Sequence, residues 1–237
     1  MAFKKKDFIE IEFTGKIKEG EIFDSNIKED LKNANLNSEP KPFVFSLGEK
    51  MFLEGVDDFL IGKEIGEHEI ELSPEKAFGP RDLSLVKIIS MRVFKENKLN
   101  PVVGTMFNFD GRMAKIRSVS VGRVTIDFNN PLAGKTVVYK IKVLRKVDDL
   151  NEKAKALIEF FFKKDLDFEI KQEAEPLDSL SKSKTKGKKI IITAEKKLIE
   201  ILKLFSEKFK DILGLELEVI EVKENKKEPE KENKKLQ

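Results

Sequence analysis

Residues 20–26, GEIFDSN, place the carboxylate of Asp24 directly after two large apolar residues, Ile22 and Phe23. An acid that follows a glycine turn is most often a solvated turn residue. The alternative is a carboxylate held against an apolar pocket, which would mark a functional site. The other reactive residue types limit the chemistry of such a site. With no cysteine and one histidine, His68, the chain is not expected to use Ser-His-Asp or Cys-His catalysis, or a His- or Cys-rich metal site.

The composition narrows the class of protein further. Of the 237 residues, 38% are charged, but the 46 Lys and Arg nearly balance the 43 Asp and Glu, so the net charge is only +3. Nucleic-acid binding needs a one-sided basic surface, which this balance does not indicate. No apolar run reaches the roughly 20 residues of a membrane span, and the first lysines lead into acids rather than into a signal peptide. We therefore expect a cytoplasmic protein with no nucleic-acid or membrane partner, no cofactor and no metal.

The first half of the chain has the pattern of an antiparallel sheet with one short helix. Alternating apolar and polar residues predict half-buried strands at 7–19, 43–48, 68–75 and 136–144. Residues 53–67 are predicted to contain a short helix that Gly62 ends, because Phe52, Val56, Phe59 and Leu60 have helical spacing. Asp57 and Asp58 are expected on a solvated face rather than in a metal site. Residues 26–41 are polar and are predicted to be a loop.

Two further regions differ from the first. Residues 85–129 contain β-branched runs around an Asp110-Gly111 hairpin signal, so we expect a small all-β unit there. Residues 148–223 are predicted to form an α+β domain, with an aspartate-capped helix at 148–164, an amphipathic helix at 194–209 and alternating strands. A polar loop is predicted at 179–189 and a disordered, charge-dense tail at 224–237.

Four blocks of sequence, in a fixed order, resemble a known family. They read FTGKIKEGEIFDS, PFVFSLGEKMFLEGVDDFLIG, SPEKAFGPRD and NNPLAGKTVVYKIKV. Together they resemble an FKBP-type peptidyl-prolyl cis-trans isomerase of the SlyD-like branch, and the C-terminal part is similar to the extension of long archaeal members. The resemblance implies an α+β fold in which an antiparallel sheet wraps around a short helix. Its expected parts are the isomerase domain (1–84 and 130–147), an all-β insert-in-flap domain (85–129) and a C-terminal α+β domain (148–223).

The resemblance also implies a site and answers the question about Asp24. Phe23 and Asp24 match the family's Phe-Asp pair, so Asp24 is expected to be the pocket carboxylate. The expected catalytic residues are Asp24, Phe23, Phe78 and Tyr139. The substrate proline is expected to bind against Phe13, Phe43, Phe52, Leu53 and Val56.

Three pocket positions depart from the common family pattern. Val56 stands where Trp is frequent, and Phe13 and Phe78 stand where Tyr is frequent. We expect isomerase activity to be retained, with weakened binding of the family's macrolide inhibitors.

The resemblance further implies a chaperone role for the insert. Apolar residues that are expected to contact unfolded chains are Ile88, Ile89, Met91, Val93, Phe94, Met106 and Met113. The expected partners are unfolded or proline-containing polypeptides, and the apolar helix of the C-terminal domain makes a homodimer a further option. Two other functions stay open at this point: a non-catalytic holdase whose proline pocket has decayed, and an inert scaffold.

Overall fold

The computed structural model describes residues 2–172 and 188–221. Most of the predicted loop at 179–189 and the predicted tail at 224–237 lie outside these residues. The chain divides into two compact units, Met1–Lys146 and Val147–Gln237. In the described ranges the strands are β1 Phe8–Ile17, β2 Ile22–Ser25, β3 Phe43–Ser46, β4 Gly66–Leu72, β5 Val86–Ser90, β6 Met106–Phe109, β7 Arg112–Ser120, β8 Arg123–Asp127, β9 Val137–Val147, β10 Phe168–Gln172, β11 Lys188–Ala194 and β12 Leu215–Glu221. The helices are α1 Lys28–Asn33, α2 Glu54–Leu60, α3 Met91–Glu96, α4 Leu150–Phe162, α5 Lys196–Leu204 and α6 Ser206–Leu213.

The first sheet of the N-terminal unit has five strands and forms the support of the candidate site. Its order is β2-β1-β9-β4, and β3 also pairs with β1. β1 is antiparallel to both β2 and β3, and β4 is antiparallel to β9. The alternation in β1 buries Ile9, Ile11 and Phe13 on one face, as the period of two in its sequence predicts, and Phe8 is buried on the opposite face. α2 closes this core with Val56 and Leu60, which are fully buried.

Two local predictions for this region were wrong. Residues 28–33, predicted as loop, form α1, which buries Leu31. Asp57 is not on a solvated face, since its side chain is buried. Its carboxylate accepts hydrogen bonds from the backbone N–H groups of Gly48 (2.7 Å) and Lys50 (3.2 Å). Asp57 therefore fixes the turn that leads from β3 towards Phe52.

The second sheet of the N-terminal unit lies within residues 86–127. Its four strands have the order β5-β8-β7-β6, and every pair is antiparallel. Five buried residues form its core: Phe94, Ala114, Ile116, Val124 and Ile126. The structure departs from an all-β unit, because residues 91–96 form α3 after Ser90, whose hydroxyl accepts a hydrogen bond from the N–H of Arg92. This turn of helix carries Phe94 into the core of the sheet.

The C-terminal unit has a three-stranded sheet of order β10-β11-β12. β10 is antiparallel to β11, whereas β11 and β12 are parallel and are joined through α5 and α6. The amphipathic helix predicted at 194–209 is divided at Phe205, and Gly214 ends α6 in the left-handed conformation. Asp149 caps α4 by accepting the N–H of Glu152 (2.8 Å). None of the helices in the described ranges is both long and apolar enough to cross a membrane.

Candidate active site

Six aromatic side chains form a continuous series of ring contacts on the five-stranded sheet. Phe52 is central, with its ring centroid 4.8 Å from Phe13, 5.8 Å from Phe43 and 5.6 Å from Tyr139. Tyr139 in turn contacts Phe23 (5.8 Å), and Phe23 contacts Phe78 (5.5 Å) edge to face. The structure thus brings together all six aromatic residues that the family resemblance implies. The ring edges and faces line one apolar surface, with the geometry that aromatic pairs favour.

Each of these rings comes from a different part of the chain. β1 supplies Phe13, β3 supplies Phe43 and β9 supplies Tyr139. Phe52 comes just before α2, and Phe78 follows the short 3₁₀ turn Pro74–Lys76. Because five-stranded pairing fixes β1, β3 and β9 side by side, only Phe52 and Phe78 depend on loop conformation for their placement.

Asp24 lies beside this aromatic surface. It is half-buried in β2, opposite Gly15 in the β1–β2 ladder. Burial raises the pKa of its carboxyl group, and a hydrogen bond from the Ser25 backbone opposes that shift in part. The carboxylate therefore sits in an environment that penalises its charge, in agreement with a pocket position rather than a solvated turn.

The hydroxyl group of Tyr139 lies in the same buried environment. Burial raises the pKa of its hydroxyl well above the ordinary value, and the negative charge of Asp24 raises it further. The hydroxyl of Tyr139 therefore stays protonated at every physiological pH, and the Asp24 carboxylate is close enough to act on it electrostatically.

The remaining pocket positions predicted from the sequence belong to α2. Val56 is fully buried within that helix, and Phe13 and Tyr139 are also buried, at 6% and 2% exposure. The partly exposed rings of the aromatic surface are those of Phe23, Phe43, Phe52 and Phe78. Leu53 is the residue before the first turn, and its carbonyl accepts the N–H groups of Val56 and Asp57. Within the described part of the chain, the N–H of Leu53 donates no hydrogen bond, so it is open to a bound carbonyl group.

Sequence reasoning missed two residues that shape the site. Phe45 is fully buried behind it, stacked on Phe43 with centroids 5.4 Å apart and 5.6 Å from Phe52. Gly15 faces two of the rings: a Cβ placed there would lie 2.8 Å from Cε1 of Tyr139 and 3.1 Å from Cζ of Phe23. The glycine inside an otherwise alternating strand was an available signal, because such a residue often marks close approach of another group.

The apolar residues predicted to contact unfolded chains occupy different environments in the insert sheet. Ile88, Val93, Met106 and Met113 are exposed, with Ile88 at 66%. Ile89 and Met91 are partly buried against the core, and Phe94, at 1% exposure, is part of it. In this arrangement Phe94 stabilises the insert and is not accessible to a bound chain. Exposed side chains that the prediction omitted are Leu99, Val102, Val103, Val119 and Val121.

A separate open groove of about 580 Å³ runs along α2 and shares only Leu53 with the aromatic site. Its charged lining residues are Glu54, Asp58, Glu71, Glu75 and Lys76. Over residues 2–172 and 188–221, no three His, Asp or Glu side chains are grouped closely enough to hold a metal ion.

Comparison with known proteins identifies relatives that match most of the N-terminal unit. A family model described as "FKBP26, IF domain" matches residues 87–132. A "Short-type peptidyl-prolyl cis-trans isomerase" of Methanocaldococcus jannaschii is 33% identical over 144 residues, which cover 59% of this chain and 91% of the relative. An "FKBP-type 16 kDa peptidyl-prolyl cis-trans isomerase" of Escherichia coli is 36% identical over 110 residues, 44% of this chain and 73% of the relative.

Two further matches are more distant. A protein named "FKBP-type peptidyl-prolyl cis-trans isomerase SlyD" from Helicobacter pylori is 28% identical over 136 residues, 54% of this chain and 72% of the relative. Among solved structures, the three FKBP domains of wheat FKBP73 match with a TM-score of 0.34 and 16% identity, over 63% of this chain and 42% of that chain. That score is too low to support an argument about the fold.

Proposed function

The chain belongs to the FKBP-type peptidyl-prolyl cis-trans isomerases, in their SlyD-like branch, and is an isomerase; from this premise we propose that it acts on X-Pro bonds of unfolded or partly folded proteins held by its insert. The observation that carries the catalytic part is the continuous aromatic surface from Phe43 to Phe78 beside Asp24. The insert part rests on the exposed apolar side chains of residues 86–127.

The reaction needs no nucleophile or cofactor, because no covalent bond is made or broken. Amide resonance sets a rotation barrier of about 18–20 kcal/mol, and uncatalysed X-Pro exchange takes tens of seconds or longer. A twisted amide loses resonance, so its carbonyl oxygen carries less charge and its nitrogen becomes more pyramidal. An apolar surface therefore favours the twisted state over the planar one. A stabilisation of about 5 kcal/mol would accelerate rotation by between three and four orders of magnitude.

We assign the pocket residues to two roles within this mechanism. The rings of Phe13, Phe43, Phe52 and Tyr139 enclose the proline ring and exclude water from the rotating bond. The N–H of Leu53 holds a substrate carbonyl, so that only the prolyl bond is free to turn. Asp24 sets the electric field on the twisting carbonyl and orients its neighbours, and it transfers no proton.

The insert supplies the substrate in this proposal. Ile88, Met106 and Met113 are large apolar side chains that are exposed on one small sheet. Methionine adapts its shape to varied partners, which suits binding of unfolded chains without sequence preference. The holdase alternative, based on Val56 and Phe78, is disfavoured because the aromatic surface is complete without a Trp or a second Tyr.

Pairing of two copies through the C-terminal unit is also proposed. Leu204 is 81% exposed on α5 and Ile201 is next to it on the same helix, also exposed. Sedimentation equilibrium of the full chain and of Leu204→Glu tests this, since a dimer that rests on α5 should dissociate in the variant. The cytoplasmic location inferred from the sequence stays a prediction.

The decisive experiment compares the full chain with a version in which residues 85–129 are replaced by a short linker. Both are assayed on a proline tetrapeptide and on proline-limited refolding of a whole protein. We expect equal rates on the peptide and a large loss for the shortened version on the protein. Equal losses on both substrates would show that the insert supports the pocket rather than binding clients, and no acceleration by either would refute the assigned pocket.

A further inference from the structure

The two chain segments that connect the insert to the isomerase domain are joined by a cluster of polar contacts. Residues 79–85 lead into the insert and residues 127–134 lead out of it. We call Arg81, Asp82, Asp127 and Asn129 the hinge cluster. Asn129 bonds to the Asp82 backbone twice, since its Oδ1 accepts the Asp82 N–H (2.9 Å) and its Nδ2 donates to the Asp82 carbonyl (2.8 Å).

Asp127, at the end of β8, is the charged centre of the hinge cluster. It is only 5% exposed, yet its carboxylate accepts from Arg81 Nη2 (2.5 Å), from the Asn129 N–H (3.0 Å) and from Asn129 Nδ2 (2.8 Å). Arg117 of β7 is a more distant ionic partner, at 3.9 Å. Burial alone would raise the pKa of Asp127, but the Asn129 hydrogen bonds and the Arg81 charge hold it below the ordinary value. A buried carboxylate with this many donors is a specific, satisfied contact.

Arg81 is the only member of the cluster that brings a full positive charge from the isomerase side. It follows Phe78 by three residues, but Phe78 itself is held by other contacts. The Phe78 ring packs on Phe23. The N–H of Gly79 donates to the carbonyl of Pro74, and the carbonyl of Gly79 accepts the N–H of Gly134 (2.8 Å). None of these contacts involves Asp127. Loss of the Arg81–Asp127 ion pair should therefore leave the aromatic site intact.

We propose that Arg81 and Asp127 are positioning residues that fix the insert relative to the aromatic site, so that a proline in a chain bound to the insert reaches Asp24 and the rings. This inference rests on the proposed client-binding role of the insert. Residues 79–85 and 127–134 are the covalent connections between the two sheets. The ion pair restricts rotation about these two connections. A chain bound to the insert is then transferred intramolecularly, from the apolar surface of the insert to the aromatic site.

The proposal predicts which kinetic constant changes. Binding of an unfolded chain depends on the exposed apolar side chains of the insert, whereas Arg81 acts through its ion pair with Asp127. Rotation of a prolyl bond in that chain depends on the effective concentration of the proline at the pocket, which falls when a linker becomes flexible. Loss of the ion pair should therefore lower kcat for a protein substrate and leave KM, as well as the rate on a short peptide, unchanged.

The test uses the full chain and four substitutions, of which Arg81→Gln and Asp127→Asn both probe the ion pair. Arg81→Gln removes the charge from a side chain that is partly exposed, so the fold should be kept. Arg81→Lys retains the charge and should rescue most of the effect. Arg117→Gln removes the distant partner within the insert and serves as the matched control. Each variant is assayed on a proline tetrapeptide, on proline-limited refolding of a whole protein, and for binding to a permanently unfolded, reduced polypeptide.

For Arg81→Gln and Asp127→Asn we expect kcat on the protein substrate to fall by about three- to tenfold through lost effective concentration. The peptide rate, the KM and the affinity for the unfolded polypeptide should be unchanged. A fall that is equal on peptide and protein would overturn the inference, because the pair would then act on the pocket itself, and so would an unchanged kcat on the protein. Weak binding of the unfolded polypeptide by the wild type would instead overturn the client-binding role, and this inference with it.

Backbone ¹⁵N relaxation supplies a second readout that a merely structural role would not move. In the wild type, amides of the insert sheet and of the five-stranded sheet should report the same tumbling time. In Arg81→Gln they should separate, while Arg81→Lys and Arg117→Gln keep one common value. A common value in Arg81→Gln would show that the other hinge contacts fix the insert without the ion pair, and the inference would fail.

Discussion

Substituting Gly15 by alanine is the sharpest test of the aromatic site. An ideal Cβ at this position would lie 2.8 Å from Cε1 and 2.9 Å from Cζ of Tyr139, and 3.1 Å from Cζ of Phe23. The backbone of Gly15 is not in the left-handed region, so alanine is accepted by the main chain and only the space is lacking. The atoms in conflict belong to stiff rings that are packed on their other sides by Phe13, Phe52 and Phe78.

The magnitude follows from two opposing effects on stability. Replacing a strand glycine by alanine lowers the entropy of the unfolded chain and stabilises by about 0.5–1 kcal/mol. Overpacking of a core position costs about 1–3 kcal/mol, so the net loss of unfolding free energy should be about 0–2.5 kcal/mol. Ordinary carbon contacts lie at about 3.5–4.0 Å, so the rings must move by roughly 0.7 Å. A displacement of about 1 Å can cost about a hundredfold in rate, and we expect about a tenfold loss in kcat/KM here.

The assay is prolyl isomerisation of a tetrapeptide, measured beside unfolding in denaturant. Gly20→Ala is the matched control, since its Cβ would also meet a tight contact, 3.0 Å from Cβ of Ile17, but no ring of the site. Gly20→Ala should therefore change stability and leave kcat/KM unchanged. If Gly15→Ala is folded and retains full kcat/KM, the positions of Tyr139 and Phe23 do not govern catalysis and the assigned site is wrong.

Three further predictions concern the pocket and the insert. Burial raises the pKa of the Asp24 carboxyl group, so the folded chain binds a proton at this group more tightly than the unfolded chain does. The contribution of Asp24 to stability therefore falls as pH rises from the ordinary carboxyl pKa through the raised pKa. Thermal unfolding should therefore show Asp24→Asn gaining stability relative to wild type as pH rises from about 3 to about 7. The kcat/KM of this variant at neutral pH should fall. A stability difference between variant and wild type that is independent of pH would contradict the raised pKa. Phe78→Tyr adds a hydroxyl donor for a bound carbonyl and should tighten a macrolide inhibitor by about 0.5–1.5 kcal/mol in calorimetry, whereas unchanged affinity would place Phe78 away from the ligand. Phe94→Ala should cost the insert about 3–5 kcal/mol and abolish acceleration of protein refolding while the peptide rate persists; loss of the peptide rate as well would mean that the two sheets unfold together.

Much of the site could be predicted because it depends on local pattern and on ordered motifs. The strands that carry Phe13, Phe43 and Tyr139 alternate clearly, and a period of two in a half-buried strand fixes which residues face the core. Phe23 and Asp24 were assigned to the site through the ordered motifs of the family resemblance. These features need only neighbours in sequence, which is why they are visible without coordinates.

The features that were missed depend on tertiary contacts. Asp57 was interpreted as solvated because neighbouring acids on a short helix usually are, but the backbone N–H groups of Gly48 and Lys50, in the turn before α2, satisfy its carboxylate. α3 lies in a β-branched run whose propensity favours a strand, and burial of Phe94 in the insert core outweighs that preference. The parallel pairing of β11 with β12 was not predicted, although a helical segment between two strands was an available signal for it.

The close approach of Gly79 and Gly134 also constrains how the chain can fold. β9 follows the insert, yet it pairs with β4, which precedes it, and also lies beside β1 near the start of the chain. Bringing β4 and β9 together across about 64 unstructured residues would cost about 3.7 kcal/mol of loop-closure entropy. A four-stranded insert that folds first from its own short hairpins brings its two ends together. Only the few residues that connect the insert to β4 and β9 then remain to be closed into a loop. The insert would then act as a folding nucleus for the domain it interrupts, and slowing its hairpins should slow formation of the aromatic site.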